Sequence, residues 1–170
     1  HRDLHSFPTR RSSDLDDVRE KTLGAKPKAL IAETLSNPLL KVCDLHGCAL
    51  IAKEAGARLV VDNTFASPFL CQPLTLGADF VVHSATKYLS GHGDSMGGVV
   101  VARRAQDLKA LAKVMKLVGG VLSVWEAHHL LRGIKTLGLR LERQCDNARQ
   151  LAGLLREDAR QHVEDPVGHA

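Results

Sequence analysis

Four short apolar runs, Lys28–Glu33, Leu59–Asp62, Asp79–His83 and Gly98–Ala102, recur along this chain, and helical or turn-like stretches separate them. Alternation of this kind gives an α/β fold, a mostly parallel sheet with helices on both faces. The connections carry their own punctuation. Asp16 to Gly24 reads as the end of a helix with Gly24 as its stop, and Asn37-Pro38 is a break. Asp44 caps a helix running to about Ala55, whose Leu45, Cys48, Ala52 and Ala55 recur at helical spacing before Gly56 ends it. A short helix spans Pro73 to Gly77, and a longer one Gln106 to Val118. From Val124 to about Leu155 one long amphipathic pattern passes through Leu130, Ile134, Leu137 and Leu141. That stripe is core packing, and truncation is expected to leave it exposed.

Two of the apolar runs end on side chains that can do chemistry. Phe80-Val81-Val82-His83 stops at Ser84-Ala85-Thr86-Lys87-Tyr88-Leu89-Ser90-Gly91-His92-Gly93-Asp94. Two hydroxyls within three residues of an ammonium can hydrogen-bond a phosphate, and a partly desolvated lysine can lose its proton and attack an aldehyde. An ordinary solvated turn is the commoner reading of such a loop taken alone. Upstream, Arg58-Leu59-Val60-Val61 ends on Asp62. Ligands of parallel sheets lie beyond the carboxyl ends of the strands, so Asp62 and Lys87 face one crevice. A carboxylate there can keep a pyridine nitrogen protonated and make the ring an electron sink. The combination suits pyridoxal phosphate; a turn or helix-cap role before Thr64 is the alternative for Asp62.

Several motifs in order carry a more specific signal. Glu33-Thr34-Leu35-Ser36-Asn37-Pro38, Val60-Val61-Asp62-Asn63-Thr64-Phe65, Leu76-Gly77-Ala78-Asp79, the loop His83 to His92 and Leu130-Leu131-Arg132-Gly133-Ile134-Lys135-Thr136-Leu137 together resemble the transsulfuration, or Cys/Met metabolism, family of fold-type I pyridoxal-phosphate enzymes. Within it the wording is most similar to the methionine γ-lyase, cystathionine γ-synthase and cystathionine γ-lyase branches. The resemblance, from about Pro27 to about Leu155, implies that Lys87 is the catalytic residue and holds the cofactor as a Schiff base. It implies that Asp62 pairs with the pyridinium, Ser84 and Thr86 bind the phosphate, and Asn37 lies beside the phenolic oxygen. Glu33 matches a family position near that asparagine and reads equally as a structural acceptor; Tyr88 and His92 match without a chemical role.

The implied reaction is elimination or replacement at the β/γ carbon of sulfur amino acids or activated homoserine esters. The implied partners are a small-molecule amino-acid substrate and other copies of the chain, as a dimer of dimers. Members of the family are more than twice as long, so the 170 residues read as a fragment truncated at both ends. Residues 16–140 are then the cofactor-binding part of the large domain and 141–170 the start of a C-terminal domain. A partial reading frame whose site cannot assemble is an alternative. Residues 1–15 read as a non-native tail, because His5 to Leu15 resembles a translated sequencing adapter; a native polar tail is the other reading.

The remaining composition excludes more than it suggests. A formal charge of +4 spread over scattered Lys and Arg gives nucleic-acid binding no support. Four cysteines without C-x-x-C spacing read as reduced thiols of a cytoplasmic protein. His128-His129 is a poor chelate, since neighbours on a helix point about 100° apart, and no metal site is expected. No segment approaches about 18 uninterrupted apolar residues, so no membrane span is expected. Gly91-His92-Gly93-Asp94-Ser95-Met96-Gly97-Gly98 leads into a strand and fails as a dinucleotide fingerprint, which leaves a nucleotide-binding α/β module as a weak alternative. It reads as a turn that lets backbone approach the lysine loop.

Overall fold

The computed structural model describes residues 12–164. In chain order they form α1 (Ser12–Ala25), β1 (Ala29–Glu33), α2 (Leu45–Glu54), β2 (Arg58–Asp62), α3 (Ser67–Leu70), a 3₁₀ turn (Pro73–Leu76), β3 (Phe80–Ser84), β4 (Gly98–Ala102), α4 (Ala105–Val118), α5 (Val124–Ile134) and α6 (Leu137–Glu164). The sheet runs β1-β2-β3-β4, with β1, β2 and β3 parallel and β4 antiparallel to β3. No helix among the described residues is long and apolar enough to cross a membrane.

Side chains alternate across a strand, and the register decides which of them share a face. Leu30 pairs with Leu59, Ala32 with Val61 and Val61 with Val81, so these residues form one continuous apolar face. α2 lies on it through Leu45, Cys48 and Ala52, the helical spacing read from the sequence. Burying each such leucine or valine contributes roughly 1.5–3 kcal/mol. Asp44 caps α2 by accepting a hydrogen bond from the Gly47 amide at 2.9 Å, satisfying a donor that the first turn cannot. Within this layer the Cys43 and Cys48 sulfurs lie 3.7 Å apart. The contact with Cys48, and burial, push the Cys43 thiol well above its ordinary range. Cys48 is pushed down because Cys43 can donate to its thiolate. The opposite face carries Ile31, Val60, Phe80, Val82 and Val100, with Ile31 and Val100 exposed.

A second apolar cluster sits on the loop after β3. Leu130 of α5 and Leu137 and Leu141 of α6 pack against Ala85 and Leu89. Three of the four residues expected to be exposed by truncation are therefore buried, and Ile134 alone is exposed. The long amphipathic pattern is broken into two helices because both must reach the same loop. Gly133 meets the Ser90 carbonyl so closely that a Cβ would stand 2.1 Å from its oxygen, and the chain turns at Lys135-Thr136 immediately afterwards.

Both ends of α1 differ from the sequence reading. α1 begins at Ser12, inside the stretch read as aperiodic, because Leu15 packs on the α2 layer, with Cδ1 only 2.6 Å from where a Cβ of Gly47 would lie. Residues 1–11 lie outside the described residues. α1 also passes through Gly24, and the left-handed residue after it is Lys26, at φ 46°.

Packing of this kind separates two leucines that composition treats alike. Leu59→Ala, in the wholly buried face, is expected to cost about 2–5 kcal/mol in urea denaturation of the chain. Leu139→Ala, on an exposed part of α6, should change stability by less than about 0.5 kcal/mol.

Candidate active site

The parallel ladders end together, and side chains take over the hydrogen bonds that the strands stop making. Glu33 and Asp62 are register partners at the carboxyl ends of β1 and β2. Beyond them the Thr34 hydroxyl donates to Asn63 Oδ1 at 2.7 Å, and Asn63 Nδ2 donates to the Cys71 carbonyl at 2.9 Å. Asn63 is wholly buried, so these bonds are needed to offset its desolvation. One step further, Thr64 joins the two strands: its amide donates to Asp62 Oδ1 at 2.9 Å, and its hydroxyl oxygen accepts the Ser84 amide at 2.8 Å.

β3 then turns into the lysine loop. The Ala85 amide donates to the Gly97 carbonyl at 2.8 Å and the Gly97 amide to Thr86 Oγ1 at 3.1 Å, which closes the loop at its base. Gly91 donates back to the Lys87 carbonyl at 2.8 Å, and the Ser90 hydroxyl is shared between the carbonyls of Thr86 and Lys87. The glycine-rich stretch opens β4, not a helix. Its Gly91 and Gly93 have φ of 78° and 70°, conformations that favour glycine.

A cleft of about 450 Å³ is lined by Asn37, Thr64, Lys87, Tyr88, Arg140 and Gln144, among others. Two sequence-predicted residues, Asn37 and Lys87, meet in it. Asp62, Ser84 and Thr86 do not line it; Thr64 links the first two to it through the bonds just described. Asp62 keeps one carboxylate oxygen in a turn with Thr64 and has the other left over. Ion pairs among the described residues engage Arg19, Lys21, Arg58, Arg104 and Arg149, and Lys87 is in none of them. Lys87 is exposed, so the partial desolvation expected of it from the sequence is absent among the described residues. Tyr88 offers its carbonyl to Arg140, and His92 Nδ1 lies 2.7 Å from the Ser90 carbonyl. Thr64, Arg140 and Gln144 were not singled out from the sequence. Thr64 stood inside a quoted motif, whereas nothing in spacing or composition marks Arg140, far along the chain from the lysine.

The family described as "Cys/Met metabolism PLP-dependent enzyme" has a model that matches residues 6–166. The chain belongs to that family. It is 52% identical over 136 residues to a cystathionine gamma-lyase of Bacillus subtilis (strain 168), covering 80% of this chain and 36% of the relative. With an L-methionine gamma-lyase of Pseudomonas putida it shares 46% identity over 148 residues, 85% of this chain and 37% of the relative. Among solved structures, cystathionine gamma synthase from Xanthomonas oryzae pv. oryzae superimposes with a TM-score of 0.80 at 42% identity, over 94% of this chain and 38% of that one. Apo CalE6, a methionine gamma lyase from Micromonospora echinospora, gives 0.80 at 38% identity, over 89% and 40%. The chain thus spans little more than a third of the length of these relatives. The family is pyridoxal-phosphate-dependent, as the residues of the sheet ends suggested, and acts in cysteine and methionine metabolism, as the resemblance implied.

Beside the site, His83 is buried with its Nδ1 unpartnered among the described residues. It faces a cavity of about 270 Å³ shared with Asn63, Cys71 and Val101. Burial pushes its pKa below the ordinary 6.5, against the opposing pull of the Asn63 backbone and the Asp62 carboxylate. Between the lowered folded value and 6.5 the unfolded chain binds more protons, so stability rises with pH across that window. The contribution is fully present above about pH 6.5 and is lost as the pH falls toward the folded value. Thermal melts from pH 8 to pH 5 should show that decline, and His83→Gln should flatten it.

Proposed function

We propose that this chain is the cofactor-carrying part of a pyridoxal-phosphate enzyme that eliminates or replaces the β/γ substituent of sulfur amino acids or activated homoserine esters. The observation that carries the reading is an exposed amine outside every ion pair, that of Lys87, directly after Thr86 and three residues beyond Ser84 at the end of β3, with the Asp62 carboxylate ending the neighbouring parallel strand. The donor set fits the cofactor. Because the Thr86 hydroxyl oxygen accepts a backbone N–H from Gly97, its own proton is left to donate to a phosphate, and Ser84 adds a second hydroxyl. The Asp62 oxygen left over from the Thr64 turn suits a protonated ring nitrogen. The carboxamide of Asn37 in the Lys87 cleft suits a phenolic oxygen.

Pyridoxal phosphate, when bound, supplies an electron sink for negative charge at the substrate α-carbon. Lys87 would hold the cofactor through Nζ, and the same atom would serve to carry protons. Asp62 would keep a proton at the pyridine nitrogen. Thr64 fixes Asp62 in turn, since its amide occupies one carboxylate oxygen and its hydroxyl ties the end of β2 to Ser84.

The names of the relatives, cystathionine gamma-lyase, cystathionine gamma-synthase and L-methionine gamma-lyase, support a sulfur amino acid as the substrate class. The parent enzyme is proposed to be a cytoplasmic homo-oligomer, with residues 16–140 in its large domain and 141–170 opening a second. Exposed Leu117, Val118, Val121, Val124 and Trp125 between α4 and α5, and exposed Leu151, Leu154 and Leu155 on α6, support contacts with further protein. Four free thiols support a reducing compartment.

Borohydride reduction of the full-length enzyme with pyridoxal phosphate, followed by peptide mapping, should place the adduct on Lys87. An adduct on Lys53, Lys113 or Lys135 would overturn the assignment. Separately, Asp62→Asn is expected to lower turnover by roughly 10²-fold or more while cofactor retention changes little. Steady-state kinetics beside cofactor content after desalting measures both, and near-normal turnover would return Asp62 to a turn residue.

A further inference from the structure

We propose that Arg140 is a positioning residue for Lys87, its guanidinium locking the turn that carries the lysine to the junction of α5 and α6. Nη1 and Nη2 each donate to the Tyr88 carbonyl at 3.0 Å, Nη2 also donates to the Gly133 carbonyl at 2.8 Å, and Nε donates to Thr136 Oγ1 at 3.1 Å. Tyr88 follows Lys87 directly, so the clamp holds the Tyr88–Leu89 peptide, one residue beyond the reactive side chain. The proposal rests on the reading of Lys87 given above and goes beyond it, to what aims the amine.

Three features separate a clamp from a ligand-binding arginine. A guanidinium has five N–H donors, and these four bonds leave one of them, on Nη1. A carboxylate or phosphate needs two parallel donors for bidentate binding, so Arg140 is committed to the protein although it lines the Lys87 cleft. Gly91 forms the seat: its φ is 78°, and a Cβ there would lie 2.1 Å from Arg140 Nη1 and 2.3 Å from Cζ. Gly133 brings α5 against the Ser90 carbonyl in the same way. Two glycines, from the loop and from the helix pair, therefore admit one guanidinium that joins the Tyr88 carbonyl of the loop to the Gly133 carbonyl and the Thr136 hydroxyl of the helix junction, which are themselves hydrogen-bonded to each other. Lysine could keep the charge there but not the planar fork.

The consequence is kinetic. An amine held at the reacting distance attacks the cofactor aldehyde more often than one on a loose turn. The test uses the full-length protein, stripped of cofactor, as wild type, Arg140→Lys, Arg140→Met and Thr136→Val. Pyridoxal phosphate is added, and borohydride-trapped adduct on Lys87 is followed over time by mass spectrometry. The apo melting temperature is measured alongside. Arg140→Met and Arg140→Lys are expected to slow capture on Lys87 by about tenfold or more, and Thr136→Val, which removes one of the three acceptors, by a smaller factor. The slowing should exceed any change in total cofactor bound, a split that general loss of folding would not produce. Capture at the wild-type rate in Arg140→Met, or full rescue by lysine, would overturn the clamp and leave Lys87 as the Schiff-base residue. If Arg140→Met does not fold, Arg140→Lys and Thr136→Val decide, and wild-type rates in both would overturn it. Absence of a Lys87 adduct in the wild type would instead overturn the reading of the site itself.

Discussion

Thr64 ties the site to the sheet. Where two parallel strands stop pairing, their last N–H groups need acceptors, and leaving them unpaired in a half-buried place would cost about 1–3 kcal/mol each. The Thr64 hydroxyl takes the Ser84 amide while the Thr64 amide takes an Asp62 oxygen. One residue thereby sets the spacing between the ends of β2 and β3. Asn63, wholly buried beside it, does the same between the Thr34 hydroxyl and the Cys71 carbonyl. The side chains proposed for the cofactor are the ones left over after this backbone accounting: the second oxygen of Asp62, the hydroxyl protons of Ser84 and Thr86, and the amine of Lys87.

The lysine loop needs more support than its own hydrogen bonds supply. It connects antiparallel neighbours and carries positive φ at Gly91 and Gly93, so it does not inherit the rigidity of a ladder. Its internal bonds join Ser84, Ala85, Thr86 and Lys87 to Lys87, Ser90, Gly91 and Gly97. The apolar cluster of Leu89, Leu130, Leu137 and Leu141 presses the loop against two helices, but apolar contact is non-directional. A direction comes from the Arg140 guanidinium, which donates two hydrogen bonds to the Tyr88 carbonyl.

What was legible in the sequence follows the range of the interactions involved. The four strands, the Asp44 cap and the break at Asn37-Pro38 were readable, because each is written in a few consecutive residues through apolar continuity, a capping side chain or a proline. The positions of Lys87 and Asp62 relative to the strands were readable for the same reason, since Asp62 ends β2 and Lys87 follows the end of β3 by three residues. The division of Val124–Leu155 into α5 and α6 was not. Its amphipathic period continues across Lys135-Thr136, and the break arises only where Gly133 meets Ser90. The stripe was readable as core packing, but that Leu130, Leu137 and Leu141 stay buried within this chain was not, because their partners, Ala85 and Leu89, lie on a distant loop. α1 starts at Ser12 for a tertiary reason too, the packing of Leu15 on the α2 layer. Arg140 is the extreme case: each of its acceptors but one is a backbone carbonyl, which every residue possesses and no sequence pattern displays.

The two apolar clusters also separate fold from function. Ala32, Leu59, Val61 and Val81 with α2 form one cluster, and the loop with α5 and α6 forms the other; no buried residue belongs to both. They share the strand β3, whose Val81 belongs to the first and whose continuation at Ala85 belongs to the second. A change on the α5–α6 side can therefore loosen the turn beyond Ser84 while Leu59 and Val61 stay packed beneath α2. Stability then reports chiefly on the α2 layer, and placement of the Lys87 amine on the helix pair, because different side chains, of different directionality, hold each in place.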